Sequence, residues 1–283
     1  MMPRRRTIQV RITRVESGRR SSARDTLAVE EPLEIHLAFE ADGKRVSVPL
    51  AVTMRTPGND YELAAGFLFT EGVVHSHEDI HQISYCVGSD KTQQEYNRLS
   101  VSLRPGVRVD AERLKRHFVA NSSCGVCGKS SLEALCSVPV KSSAGESLAV
   151  HSENIRELPS RLNAAQSIFA RTGGVHGAAL FDADGSLLSA MEDVGRHNAV
   201  DKLIGAHFLA NKLPLASKIL LVSSRASFEI MQKAAMAQIP IVAAVGAPSS
   251  LAVELAEKYG ITLIGFLRGE KFNVYAGSER VRE

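Results

Sequence analysis

The stretch from Ile219 to Phe266 constrains the fold more than any other part of the chain. Short apolar runs alternate there with helical segments: strand Ile219 to Val222, helix Phe228 to Gln238, strand Ile241 to Val245, helix Leu251 to Tyr259, strand Thr262 to Phe266. Strands this short and this apolar must be covered, and strands that alternate with helices of about ten residues predict a parallel sheet clad in helices. Just upstream, His176 to Phe181 and Leu187 to Ala190 flank the turn Asp182-Ala183-Asp184-Gly185 as a hairpin. Ala199 to Leu209 reads as a helix with Val200, Leu203, Ile204 and Phe208 inward.

The first half has a different grammar. Leu33, Ile35, Leu37 and Phe39 alternate, Asp42-Gly43 offers a turn, and Val46, Val48, Leu50 and Val52 resume the alternation, which predicts a hairpin. Asn59 with Glu62 forms a capping pair that opens a helix through Thr70, with Leu63, Phe67 and Leu68 on its apolar face and Gly72 at its end. Ile83 to Val87 and Leu99 to Leu103 read as strands and Asp110 to Phe118 as a helix, while 137–150 has the composition of a linker. The expected organisation is α/β: a disordered Arg-rich tail over 1–25, an α+β domain over 26–140 that ends in a Cys-x-x-Cys loop, and a three-layer α/β/α domain over 150–283.

Charge and cysteine usage narrow the function classes. Residues 1–24 hold eight Arg against Glu16 alone, so this head carries +7 of a chain whose net charge is +3, and the remainder is −4. That body has no net basic field, which argues against nucleic acid as a partner. The head lacks the apolar core of a secretory signal, and its bland reading is a solvated tail rather than a transit peptide. No apolar run approaches the roughly 20 residues of a membrane span. Four cysteines in 283 residues fall far below disulfide-scaffold density and point to a reducing cytoplasm.

In a sheet of the predicted kind, ligands bind beyond the carboxyl ends of the strands, where helix N-termini favour anions. Three loops fall there: Ser223-Ser224-Arg225, Gly246-Ala247-Pro248-Ser249-Ser250 and Arg268-Gly269-Glu270-Lys271. Singly they read as turns and caps. Together they supply small residues, hydroxyls and cations suited to a phosphorylated ligand. Neither a Gly-x-Gly-x-x-Gly nor a P-loop pattern occurs, so a dinucleotide fold or an ATPase is not supported.

Cys124-Gly125-Val126-Cys127 lies in a polar segment followed by Lys129 and a Ser130/Glu133 capping pair. A cation and a helix start both favour thiolate. Structural zinc would need two further ligands, for which Cys136 and His117 are the candidates. A thioredoxin-like dithiol would follow the first strand of a βαβ unit, which this pair does not. A persulfide carrier is the third reading. Cys86, in an apolar strand, reads as inert core. A zinc deaminase is unlike this chain, because His176-Gly177-Ala178 lacks the glutamate of His-x-Glu and the cysteine pair precedes it.

Five stretches in order carry a resemblance: Met54-Arg55-Thr56-Pro57-Gly58-Asn59-Asp60, Ser123-Cys124-Gly125-Val126-Cys127-Gly128, Glu192-Asp193-Val194-Gly195-Arg196-His197-Asn198, Ser223-Ser224-Arg225-Ala226-Ser227 and Gly265-Phe266-Leu267-Arg268-Gly269. From about Leu27 to Arg280 the chain resembles the formate dehydrogenase accessory sulfurtransferases, the FdhD/NarQ family. The resemblance implies a C-terminal domain like cytidine deaminase without its zinc site. It implies transfer of sulfur from an L-cysteine desulfurase to the molybdenum bis-(molybdopterin guanine dinucleotide) cofactor before that cofactor enters the formate dehydrogenase apoprotein.

By position, Cys124 corresponds to the family's persulfide cysteine and Cys127 to its partner. Phe266, Leu267, Arg268, Gly269, Glu270 and Lys271 correspond to the cofactor-binding stretch, beside Ser223, Ser224 and Arg225. By themselves Asp193, Arg196 and His197 read as structural, Asp193 as a helix cap; the ligand-facing reading puts Arg196 on a phosphate and His197 near the metal or in a proton relay, and His176 reads as structural. A guanine nucleotide is the expected ligand fragment. No resident zinc or other metal is expected, and the two pterin-guanine arms of the cofactor favour a homodimer.

Overall fold

The computed structural model describes residues 5–86, 96–109 and 148–283. The chain opens with strands β1 (Thr7–Glu16) and β2 (Arg19–Ala28), which pair antiparallel with each other over their full length. The disordered tail expected for 1–25 is therefore replaced, from Thr7 on, by a hairpin. Ser17 and Gly18, both at positive φ, make the tight turn that alternating polar sequence did not advertise. Most of its residues are exposed, so backbone pairing rather than apolar burial organises it.

Next come β3 (Glu31–Ala41), β4 (Lys44–Arg55), helix α1 (Asp60–Thr70), β5 (Ile80–Tyr85) and β6 (Arg98–Leu103). They form a four-stranded sheet in the order β4-β3-β6-β5, with only the β3/β6 pair parallel. Leu33, Ile35, Leu37 and Phe39 are buried as the alternation requires. On β4 the alternation breaks at a bulge opposite Ile35 and His36. Leu50 stays buried, but Val52 turns out to 54% exposure instead of continuing inward. Pro49, which has no N–H for the ladder, sits at this irregularity.

The α1 boundaries agree with the sequence reading, but its cap does not. Asn59 adopts the left-handed region and its side chain caps no backbone N–H. Its oxygen instead accepts from Arg6 and its amide donates to Glu62. Phe69 rather than Phe67 fills the core side of the helix. The expected linker and the Asp110 to Phe118 helix fall wholly or largely outside the described residues.

The second half runs β7 (Val150–His151), α2 (Ser152–Ala165), the short α3 (Phe169–Thr172), β8 (His176–Phe181), β9 (Leu187–Asp193), α4 (Arg196–Leu209), β10 (Ile219–Val222), α5 (Phe228–Met236), β11 (Ile241–Ala244), α6 (Ser250–Tyr259), β12 (Thr262–Arg268), β13 (Lys271–Ala276) and β14 (Val281–Arg282). A six-stranded mixed sheet has the order β13-β12-β11-β10-β8-β9. Its centre, β10 to β12, is parallel as the strand-helix alternation demands, and both margins are antiparallel hairpins.

Alternate residues of this sheet serve two cores. Leu180, Leu220, Val222, Val242, Ala244 and Leu263 face α4, α5 and α6, and the same apolar core continues through α1 into the four-stranded sheet. Ala179, Phe181, Ile219, Leu221, Ile241 and Ile264 face Ile155, Leu158 and Leu162 of α2. The sheet is thus buried on both faces, which is why its strands are uniformly apolar. The two halves meet where α1 crosses α4. A Cβ on Gly66 would lie 1.9 Å from the Asp201 carbonyl oxygen, and one on Gly205 would lie 1.9 Å from that of Glu62. Only a pair of glycines lets the two backbones approach so closely.

Candidate functional site

The carboxyl ends of β10, β11 and β12 gather the three rim loops, and backbone hydrogen bonds stitch them together. Gly246 N–H donates to the Ser224 carbonyl at 3.1 Å, and Phe266 N–H donates to that of Gly246 at 3.0 Å. Arg268 Nε donates to the Val245 carbonyl at 3.1 Å. A side chain on Gly246 would meet the Arg225 backbone nitrogen at 3.0 Å, so the close approach of the first two loops depends on that glycine. The rim read from sequence is one continuous surface.

Its side chains divide by role. Arg225, Arg268, Glu270 and Lys271 are exposed, and Arg268 stands opposite Lys271 in the β12/β13 register. Phe266 is held in the left-handed region at φ 53 and is 43% exposed, an uncommon backbone for an aromatic residue. Leu267 instead points into the core beneath the sheet and is fully buried, so it offers the rim its backbone alone. Gly269 makes the turn into β13. The Ser223 hydroxyl accepts from Gly177 N–H at 2.9 Å, while the Ser224 hydroxyl is spent on the Arg225 carbonyl.

Because β8 runs antiparallel to β10, its first residue, His176, arrives at the same edge, opposite Asp193 at the end of β9. Arg196 and His197 open α4 there, and Ser227 and Glu229 open α5. His197 Nε2 lies 3.3 Å from Ser227 Oγ and 3.6 Å from Glu229 Oε2. Burial alone would raise the Glu229 carboxyl, but hydrogen bonds from His197, Ser227 and its own backbone hold it at about 2. His176 is pushed below the ordinary imidazole range by burial first and then by the charges of Arg196 and His197. The Nε of Arg196 is buried and has no hydrogen-bond partner among the described residues.

Sequence reasoning gave Ser227 no role of its own, although it closes the stretch Ser223 to Ser227, and missed Glu229. Each sits where a helix-capping residue is expected, and nothing local distinguishes a cap from a group that faces a histidine on another helix.

Asp193 does not cap α4, whose N-cap is Gly195 and takes no side-chain hydrogen bond; it sits two residues earlier and holds the turn before the helix instead. Its Oδ1 accepts from Gly195 N–H at 2.8 Å and from Asn198 Nδ2 at 3.1 Å. Its Oδ2 accepts from Thr56 N–H at 3.1 Å and lies 2.7 Å from Lys202 Nζ. Val194 N–H donates to Thr56 Oγ1, and Asn198 Nδ2 also donates to the Met54 carbonyl. Arg55, fully buried, forks onto both oxygens of Asp60, which also accepts from the Tyr85 hydroxyl. Met54 to Asp60 and Glu192 to Asn198 therefore form one buried polar lock between the two halves, directly behind the rim.

Cys124 and Cys127, with Cys136, His117 and Lys129, lie outside the described residues. Cys86 is partly exposed rather than core, and burial followed by Glu34 pushes its thiol up, against Arg98. Among the described residues no group of three or more His, Cys, Asp or Glu is placed to hold a metal ion. No described helix is long and apolar enough to cross a membrane.

The sequence profile of the FdhD/NarQ family matches residues 28–282. The chain is 51% identical over 278 residues to the sulfur carrier protein FdhD of Streptomyces coelicolor, an alignment covering 96% of this chain and 94% of that relative. It is 50% identical over 261 residues to the protein of the same name from Mycobacterium tuberculosis, covering 91% and 92%. A crystal structure assigned to a formate dehydrogenase accessory protein from Desulfotalea psychrophila superposes with a TM-score of 0.76 at 26% identity, covering 98% of this chain and all of that one. Likeness of sequence and of backbone over nearly the whole length makes the chain a member of the FdhD/NarQ family.

Proposed function

We propose that this protein is a cytoplasmic sulfur carrier serving formate dehydrogenase. Cys124, assisted by Cys127, accepts sulfane sulfur from an L-cysteine desulfurase as a persulfide. The persulfide S–S bond then breaks as its terminal sulfur passes to the molybdenum bis-(molybdopterin guanine dinucleotide) cofactor: the Cys124 sulfur keeps the bonding pair as thiolate, and the reduced metal of that substrate supplies the two electrons that take the sulfane sulfur to sulfide. The observation that carries the ligand half of this reading is the stitched rim, where Arg225, Arg268 and Lys271 stand exposed around close-approaching backbone. Such a surface suits the phosphates of a guanine dinucleotide arm. The sulfur half is supported by relatives named sulfur carrier proteins at about half identity over almost the full chain.

Two further parts of the reading belong with it. The α/β region after residue 150 is a cytidine-deaminase-like unit without the deaminase zinc, and two copies of the chain pair to hold the two arms of the cofactor. The division into a sulfur-accepting unit before residue 140 and a cofactor-binding unit after residue 150 follows the same logic.

The deciding experiment follows the sulfur. After incubation with a desulfurase and L-cysteine, peptide mass spectrometry finds an added sulfur on Cys124. Cys124→Ala abolishes activation of formate dehydrogenase, and Cys127→Ala impairs it less. Normal activation by Cys124→Ala removes that residue from the role, and normal activation by the double variant overturns sulfur carriage altogether.

A further inference from the structure

At one edge of the rim, four elements bring polar and titratable groups together at the N-terminus of α4. His176 comes from β8, Asp193 from β9, Arg196 and His197 from α4, and Ser227 with Glu229 from α5. Asp193 is consumed by its four hydrogen-bonding partners in the buried lock. Lys233, one turn further along α5, is held by Asp201. This leaves Glu229 as the carboxylate directed at His197, and both side chains are mostly buried, at 16% and 17% exposure.

The imidazole is engaged on one side only. Nε2 faces Ser227 Oγ and Glu229 Oε2, and Nδ1 takes no hydrogen bond from the described residues. On the preceding residue, Arg196 Nε is a buried donor without a partner among those residues. An unpartnered guanidinium nitrogen and an imidazole engaged on one side only, on adjacent residues of the first turn of a 14-residue helix, suit an anion. A carboxylate behind a histidine fixes the ring and raises the basicity of its far nitrogen.

We propose that Glu229 is a positioning residue: together with Ser227 it holds His197 so that Nδ1 and Arg196 Nε jointly receive an anionic oxygen of the ligand at this edge of the rim. The inference rests on the reading of the rim as a guanine-nucleotide site. His176, the other imidazole at this edge, is pushed below the ordinary range chiefly by burial. Binding of the anion is accordingly coupled to the protonation of His197, with Glu229 setting the pH at which it is lost.

The test uses the full chain, GDP as the probe, and two readouts. Histidine titration by NMR, with His197→Gln to identify the resonance, gives the midpoint for His197 directly. Calorimetry across the same pH range gives the affinity for GDP, and the His197→Gln protein reports the titration of the nucleotide's own phosphate. In the unmodified protein, GDP affinity falls about tenfold as pH rises through the His197 midpoint. In Glu229→Gln that midpoint moves down by about one pH unit or more in both readouts. Glu229→Asp, which keeps the charge, retains the higher midpoint and serves if the Gln variant does not fold. GDP binding whose pH profile is the same with Gln at 229 overturns this inference alone. Absence of GDP binding at every pH overturns the guanine-nucleotide reading and this one with it.

Discussion

Lys202 Nζ lies 2.7 Å from Asp193 Oδ2, both side chains are essentially buried, and the same ammonium donates to the Thr56 carbonyl at 2.8 Å. One ion pair therefore ties the turn before α4, the helix that presents Arg196 and His197, to the turn that leads into α1.

Replacing Lys202 by Met removes the counter-ion and leaves Asp193 charged in a buried site. The expected loss is about 3–5 kcal/mol of folding free energy, as for other half-broken buried pairs. Urea unfolding measures it, and combining Lys202→Met with Asp193→Asn costs less than the sum of the two single changes.

The α1/α4 crossing makes a second prediction. Gly66→Ala and Gly205→Ala each place a methyl against a backbone carbonyl on the facing helix. Each destabilises the chain by about 3 kcal/mol or more, the upper end for overpacking. A glycine in an open turn, such as Gly72 at the end of α1, tests the contrast. Its substitution meets no neighbour and costs only the strain of its positive φ, about 1–2 kcal/mol.

Glu229 links stability to acid. Its folded carboxyl is held at about 2 against an ordinary 4.5. The folded state thus favours the charged form, and its contribution is complete above pH 4.5 and fades as pH falls through about 2. Thermal unfolding between pH 6 and pH 2.5 shows a shallower acid loss in Glu229→Gln than in the unmodified protein.

Adjacent residues on β12 separate affinity from stability. Arg268 is exposed on the rim, whereas Leu267 is fully buried. Arg268→Ala weakens GDP binding by about 1–3 kcal/mol while leaving the unfolding midpoint nearly unchanged. Leu267→Ala lowers stability by about 2–5 kcal/mol. Calorimetry of both variants beside their unfolding curves distinguishes the two roles, and equal GDP affinity without Arg268 removes it from the site.

Much of the architecture is written in local pattern. The runs Ile219 to Val222 and Ile241 to Ala244 are apolar on both faces, so a covered parallel centre follows from the residues themselves, and the rim loops follow from where those strands end. Motif stretches also announced themselves, but the cap expected at Asp193 did not form, because its carboxylate is taken by Thr56, Gly195, Asn198 and Lys202. Three things were decided only in three dimensions. The Arg-rich start pairs with itself through backbone hydrogen bonds, which any side chains can accompany and which composition therefore does not record. The bulge in β4 inverts the alternation after Leu50, because one extra residue in a strand reverses the face of all that follow. His197, Ser227 and Glu229 meet across two helices whose separation in sequence carries no pattern. Local sequence specifies which face of an element is apolar. Which polar side chains then converge at the ends of those elements depends on how the apolar faces pack.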